Sequence, residues 1–289
     1  MSESAPPPHH RFTCHAMATT FDVFINRDDA DETYAAQAAS AIFDEIRRLE
    51  DELSRFRASS DIHRLGRLQA GESLIVGMAA WDCLTLAKAM HEETRGAFDI
   101  TIGPLMNLFV TADGEPRQVS KDVLEQARQI IGSHRFDLDD ASMRVTVHAS
   151  DMIFDLGAMG KGYTLDQCAD LLLDWKIPNF VLNAGDSTIL ATGAPSGKNA
   201  WPVTLGGGAH RLTLSNRAVS GSGFAVQGAH IMNPRIFQPV PVQSRRTYAL
   251  APTAALSDAL STAFMVMEPA EIQALCARYA EVEALDLGT

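Results

Sequence analysis

Between Asn179 and Ala251 short strand-like runs follow one another with no helical period between them, and this constrains the fold more than any other feature. A doubly wound parallel sheet alternates strands with crossover helices, and without that regular alternation an α+β arrangement is the better fit. Helical periodicity lies before and after this stretch. From Asp31 to Arg57 the apolar positions Ala38, Ile42, Ile46, Leu49, Leu53 and Phe56 recur at three and four, which predicts a long amphipathic helix. Further helices are expected near Met78 to Thr94, from an N-cap at Ser120 to about Ile131, from about Lys161 to Trp175, and as a pair over Ala254 to Tyr279. Phe21 to Ile25 and Leu74 to Val76 read as strands, and Asp139 to Ser142 as a hairpin turn. The class is α+β, with mixed or antiparallel sheets flanked by helices. No repeat or low-complexity linker divides the chain, so residues 12–289 are expected to form a single integrated domain behind a disordered tail at residues 1–11.

The net charge of −12 leaves no basic footprint for a phosphate backbone, which argues against nucleic acid as a partner. An acidic protein still binds a small anion where a lysine, backbone N–H groups or a divalent cation cancel the charge locally. No run approaches the roughly 18 apolar residues of a membrane helix, and no membrane anchor is seen. Cys14, Cys83, Cys168 and Cys276 are scattered without a C-x-x-C pair, and the proline-rich start lacks the apolar core of a signal peptide. A soluble protein in the cytoplasm is the expectation.

Three stretches stand out chemically. In "DLGAMGKGY" (Asp155 to Tyr163), Gly157, Gly160 and Gly162 surround Lys161 just before a helix. The stretch reads either as a tight helix-start turn with a solvated lysine, or as a floor whose N–H groups and lysine hold a phosphate. It matches neither a Walker A loop nor G-x-G-x-x-G. In "ALSDALSTAFMVM", Asp258 and Thr262 are four apart, so their oxygens stack on one helix face, as ligands for a hard cation or as ordinary first-turn polar groups. In "GAHIMNPR", His230 precedes a proline-bounded turn and is either a base or one more structural histidine. "GAFDITIGPL" (Gly96 to Leu105) reads as irregular, and "VLNAGDSTILATG" as a strand, a Gly-Asp turn and a strand.

The order of "MATTF", "GAFDITIGPL", "DLGAMGKGY", "NAGDSTILATG", "SGSG…HIMNPR" and "LSDALSTAFMVM" resembles that of the ApbE family of flavin transferases, over about residues 17 to 267. The family patterns are M-G-T-T-F, G-x-F-D-I-T-x-G-P-L, D-L-G-G-I-A-K-G-Y, G-G-D-I…G, T-S-G…H-I-I-D-P-R-T-G and D-A-L-S-T-A. The resemblance implies a T-fold-like α+β architecture and an enzyme that uses FAD and Mg²⁺ to move FMN onto a threonine or serine hydroxyl of an acceptor flavoprotein, releasing AMP. It implies that Asp258, Thr262 and the Gly160 carbonyl hold the metal, and that Lys161, Gly160 and Gly162 lie along the pyrophosphate. Phe98, Asp99 and Thr101 would line the flavin pocket with Met17 nearby, Ala184, Gly185 and Asp186 would face the cofactor, and Ser222 would join them. His230 would be the base, with Lys161 and Asp258 the other catalytic groups. Ala18 and Ala184 replace family glycines, Gly221 replaces a threonine and Asn233 an aspartate, and only six residues separate Gly223 from His230. An FAD pyrophosphatase and a non-catalytic FAD-binding protein are the alternatives.

Overall fold

Strand pairing between distant stretches sets the frame of the computed structural model, which describes residues 9–109, 117–205, 210–223, 231–241 and 246–285. The chain opens with a hairpin of β1 (His9–Ala16) and β2 (Thr19–Asn26), then forms α1 (Glu32–Leu53), α2 (Asp61–Leu65), β3 (Ser73–Ile75), α3 (Met78–Glu93), α4 (Gly103–Phe109) and α5 (Lys121–Arg128). A 3-10 turn (Ser133–Arg135) leads into β4 (Phe136–Asp139) and β5 (Arg144–Val147), and α6 (Gly160–Asp174) follows. Next come β6 (Phe180–Ala184), β7 (Thr188–Thr192), β8 (Trp201–Leu205), β9 (His210–Leu214), β10 (Arg217–Ser222), β11 (Met232–Asn233), β12 (Gln238–Pro239) and β13 (Thr247–Ala251). The chain closes with α7 (Ala254–Phe264), α8 (Pro269–Arg278) and β14 (Glu283–Leu285).

Seven strands form one antiparallel sheet in the order β1-β2-β6-β7-β10-β13-β14, and β3-β5-β4 form a smaller one. Alternation along β2 turns Phe21, Val23 and Ile25 inward, where with Phe180 and Leu182 they meet Ile42 and Ile46 of α1 and Leu165 and Leu172 of α6. The opposite face carries Val181, Ile189, Val219 and Leu250, and the β8–β9 hairpin covers it with Trp201, Val203, Leu205 and Leu214. A third core joins α3, α7, α8 and the small sheet around Leu84, Phe136, Phe154 and Phe264. Nearly every residue of α7 is buried, so this helix passes through the interior and its polar side chains must find internal partners.

The α+β class expected from the sequence is the one formed. Four local features differ. The chain enters the sheet at His9, so residues 9–11 are strand and not tail; His10 is buried with its Nε2 3.1 Å from the Ala30 carbonyl, and main-chain pairing with β2 orders this polar stretch. Helix α1 stops at Leu53, because Ser54 leaves the helix in an extended conformation and the Ser60 hydroxyl donates to its carbonyl; Phe56 is then 79% exposed and not on the core face. The helix α4 begins inside "GAFDITIGPL", and α2 and β14 carry too few apolar positions to be read from periodicity.

The two-residue turn between β1 and β2 places both Met17 (φ 49°) and Ala18 (φ 55°) in the left-handed region, as a type I′ hairpin demands. A Cβ is disfavoured there, and Ala18 carries one. Ala18→Gly is expected to raise the unfolding free energy by about 0.5–1 kcal/mol. The urea midpoint measures this; an unchanged or lower midpoint would show that the turn is unstrained.

Candidate active site

Two helix N-termini meet side by side. Helix α6 starts at Gly160, and the N–H of Gly162 donates to Asp258 Oδ2 of α7 at 3.3 Å. In return, α7 receives a cap from α6: the N–H groups of Ala254 and Ala255 donate to Asp166 Oδ1 and Oδ2 at 2.7 and 2.8 Å. Thr253 caps the same helix locally through the Leu256 N–H. The backbones touch between these bonds. A Cβ on Gly162 would lie 2.2 Å from the Ala254 carbonyl oxygen, so glycine is required there for helix contact. Gly160 differs: a Cβ would make ordinary contact with Leu156 Cβ at 3.6 Å.

Lys161 Nζ lies 3.8 Å from Asp258 Oδ2 and donates to the Gly157 carbonyl at 3.0 Å. The Asp258 residue is 3% exposed, so a carboxylate with a cation beside it sits inside the protein. One turn along α7, the Thr262 hydroxyl is 3.0 Å from Ser222 Oγ, which is 2.8 Å from Ser261 Oγ. The Gly160 carbonyl accepts the Thr164 hydroxyl at 2.8 Å. Burial pushes the Asp166 carboxyl up to about 6, the two N–H donors pull it down, and Asp170 and Asp258 raise it.

Among the described residues, Met17, Ser222 and the turn at Gly185 and Asp186 connect to this junction through hydrogen bonds. Met17 donates its N–H to Glu50 Oε1 at 2.7 Å, and its sulfur is 3.6 Å from the Thr164 hydroxyl. Gly185 (φ 60°) packs against Thr19 and donates to the Thr20 carbonyl, while Asp186 accepts from Asn183 Nδ2 at 2.9 Å. This turn reaches Ser222 through one step, since Gly221 donates to the Ser187 carbonyl at 2.7 Å. Ala184 is fully buried. Where Gly221 stands, a Cβ would meet the ring of Tyr248 at 2.5 Å, so the aromatic side chain fills the space a larger residue would need. A cavity of about 400 Å³ opens beneath the β8–β9 hairpin, bordered by Phe24, Asn183, Asp186 and Trp201, and apart from Lys161 and Asp258. His230 lies outside the described residues.

Phe98 is in the core, and Asp99 and Thr101 spend their polar atoms within the protein. Asp99 accepts from the Thr101 N–H and hydroxyl, the Ser133 N–H and hydroxyl, and His91 Nδ1, while Thr101 Oγ1 accepts the Gly132 N–H at 2.6 Å. This knot is tied to the lysine turn, because the Asp155 N–H donates to the Ile100 carbonyl at 2.6 Å and its carboxylate holds Arg55 and the Gly157 N–H. Sequence reasoning assigned no role to Asp166, Asp155, Glu50 or His91. Only Asp155, quoted within its glycine-rich stretch, gave any signal.

Among the described residues no cluster of three His, Cys, Asp or Glu side chains could hold a metal, and no helix is long and apolar enough to cross a membrane. A family model for ApbE matches residues 17–285. The FAD:protein FMN transferase of Haemophilus influenzae is 24% identical over 272 residues, covering 87% of this chain and 78% of the relative. That of Escherichia coli K12 is 24% identical over 240 residues, covering 75% and 67%. The apo flavinyl transferase ApbE of Pseudomonas stutzeri superposes with a TM-score of 0.84 at 23% identity, covering 96% of this chain and 91% of that one. The ApbE protein of Thermotoga maritima gives 0.82 at 25%, covering 96% and 93%.

Two expectations follow from these contacts. Gly162→Ala forces α6 from α7 and should cost about 1–3 kcal/mol, whereas Gly160→Ala should stay within about 0.5 kcal/mol of wild type; equal denaturation midpoints for the two variants would refute the close-contact account. The hydrogen bond to Asp99 raises the His91 imidazole above its ordinary 6.5 against the effect of burial. Burial raises the Asp99 carboxyl, but bonds from His91 and Thr101 outweigh it and hold the group below the usual range. The imidazole therefore contributes stability that is complete below pH 6.5 and is lost as pH rises through its elevated pKa. Chemical denaturation across neutral pH should show that decline, and His91→Gln should flatten it.

Proposed function

The chain belongs to the ApbE family, and from that premise we propose that it transfers the FMN half of FAD to a threonine or serine hydroxyl of an acceptor flavoprotein and releases AMP. What carries this reading is the convergence of the Gly162 N–H and Lys161 Nζ on the buried Asp258 carboxylate at the N-terminus of α6. A helix N-terminus with a lysine is suited to an anionic pyrophosphate, and the carboxylate beside it to a cation that shares it.

The donor set fits Mg²⁺. Asp258 offers a buried anionic oxygen, Thr262 a hydroxyl one turn on, and the Gly160 carbonyl retains a lone pair beyond the one given to Thr164. These are hard oxygen ligands, few in number, which suits an ion whose remaining positions go to phosphates and water. When bound, the cation offsets the negative charge that repels a nucleophile from a phosphorus centre. In the proposed transfer the acceptor hydroxyl attacks the FMN-side phosphorus and its proton passes to His230. The bond from that phosphorus to the bridging oxygen breaks, and AMP leaves with the oxygen. Lys161 holds the phosphates, and the Asp186 turn and Met17 flank the flavin nucleotide. Phe98, Asp99 and Thr101 shape the flavin pocket through the buried knot that fixes their loop. The chain is proposed to act as one unit on a cytoplasmic acceptor, in keeping with its four unpaired cysteines.

AMP release from FAD, with and without Mg²⁺ and a peptide bearing an acceptor threonine, tests the reading. Release that needs both, with FMN mass gained by the peptide, is expected, and Lys161→Ala or Asp258→Ala should lower it by about 100-fold or more. Release without a peptide would reassign the activity to hydrolysis, and undiminished turnover in both variants would remove the site from the chemistry.

A further inference from the structure

Resting on the transferase reading, we infer that Asp166 is a positioning residue, which sets metal affinity by fixing α7 against α6 so that Asp258 and Thr262 face the lysine turn. The hydrogen bonds of the Asp166 carboxylate go to backbone N–H groups and not to the side chains of the proposed ligands. The carboxylate takes the first two N–H groups of α7, at 2.7 and 2.8 Å, from a position four residues after Gly162 on α6. Gly162 and Asp166 therefore lie on the same face of one helix and grip the same end of the other. The grip runs both ways: α6 gives an N–H to Asp258, and α7 gives two to Asp166.

The chemistry of the pair is specific to a carboxylate. Two adjacent N–H donors need two acceptor atoms, and an ionised carboxyl supplies both. In Asp166→Asn one of those atoms becomes an NH₂ that faces an N–H, so one bond is lost and a repulsion replaces it. Thr253 provides the internal comparison. It caps α7 through the Leu256 N–H but has no part in joining α7 to α6. Loss of the Thr253 cap frays the helix locally, whereas loss of the Asp166 contact lets the whole first turn move relative to Lys161 and Gly160.

The test is Mn²⁺ binding to the full chain with ADP as pyrophosphate probe, read from the electron paramagnetic resonance of free Mn²⁺. Wild type, Asp166→Asn, Thr253→Ala and Asp258→Ala are compared at a temperature where all are folded. Asp166→Asn is expected to weaken Mn²⁺ by about 10- to 100-fold, and Thr253→Ala by less than about twofold. In turnover, the Mg²⁺ midpoint should shift by the same factor while the rate at saturating Mg²⁺ falls less. Equal effects of Asp166→Asn and Thr253→Ala would reduce Asp166 to a stabilising cap and overturn the inference. Binding that Asp258→Ala abolishes and Asp166→Asn leaves intact would overturn it alone; Mn²⁺ binding independent of Asp258 would overturn the proposed metal site with it. Should Asp166→Asn fail to fold, Asp166→Glu carries the same comparison.

Discussion

The contact on which the site depends is the reciprocal capping of two helices that start side by side. Each helix N-terminus leaves N–H groups without intrahelical partners, and in the interior water cannot satisfy them. Here α6 and α7 answer each other's need, with Asp258 taking an N–H of α6 and Asp166 two of α7. Both carboxylates are drawn to positive helix ends, which offsets part of the cost of their burial. Only a glycine at position 162 lets the backbones approach closely enough for these bonds.

That junction explains how much the sequence disclosed. The period of α1, the strand run after Asn179 and the Asp258–Thr262 spacing were legible because each repeats a local geometry. The glycines of "GAMGKGY" were legible as special but ambiguous in purpose. Gly162 is required by packing against Ala254, whereas Gly160 has room for a methyl group. No local pattern distinguishes these cases, since the atom that decides between them is contributed by a residue far along the chain. Asp166 was silent for the same reason: within its own helix it is one more polar residue. Residues 9–11 carry no strand signal of their own, because their order comes from pairing with β2 and from the buried His10 contact.

The loop carrying Phe98, Asp99 and Thr101 shows a different route from motif to role. Its polar side chains point into a knot with His91, Gly132 and Ser133, and so act on their surroundings by holding the loop rigid. Asp155 joins that knot to the lysine turn. Gly221 and Tyr248 illustrate compensation of another kind, with an aromatic ring laid over a strand glycine across the β10–β13 pair.

The two halves of the helix junction are 96 residues apart in sequence. At a synthesis rate of about 5–20 residues per second, α6 exists for about 5–20 s before α7 has been made. During that interval Lys161 and the α6 N-terminus lack the Asp258 carboxylate. The nascent chain therefore carries the lysine turn and the first turn of α6 without the carboxylate that faces them, and the junction closes only once α7 has been made.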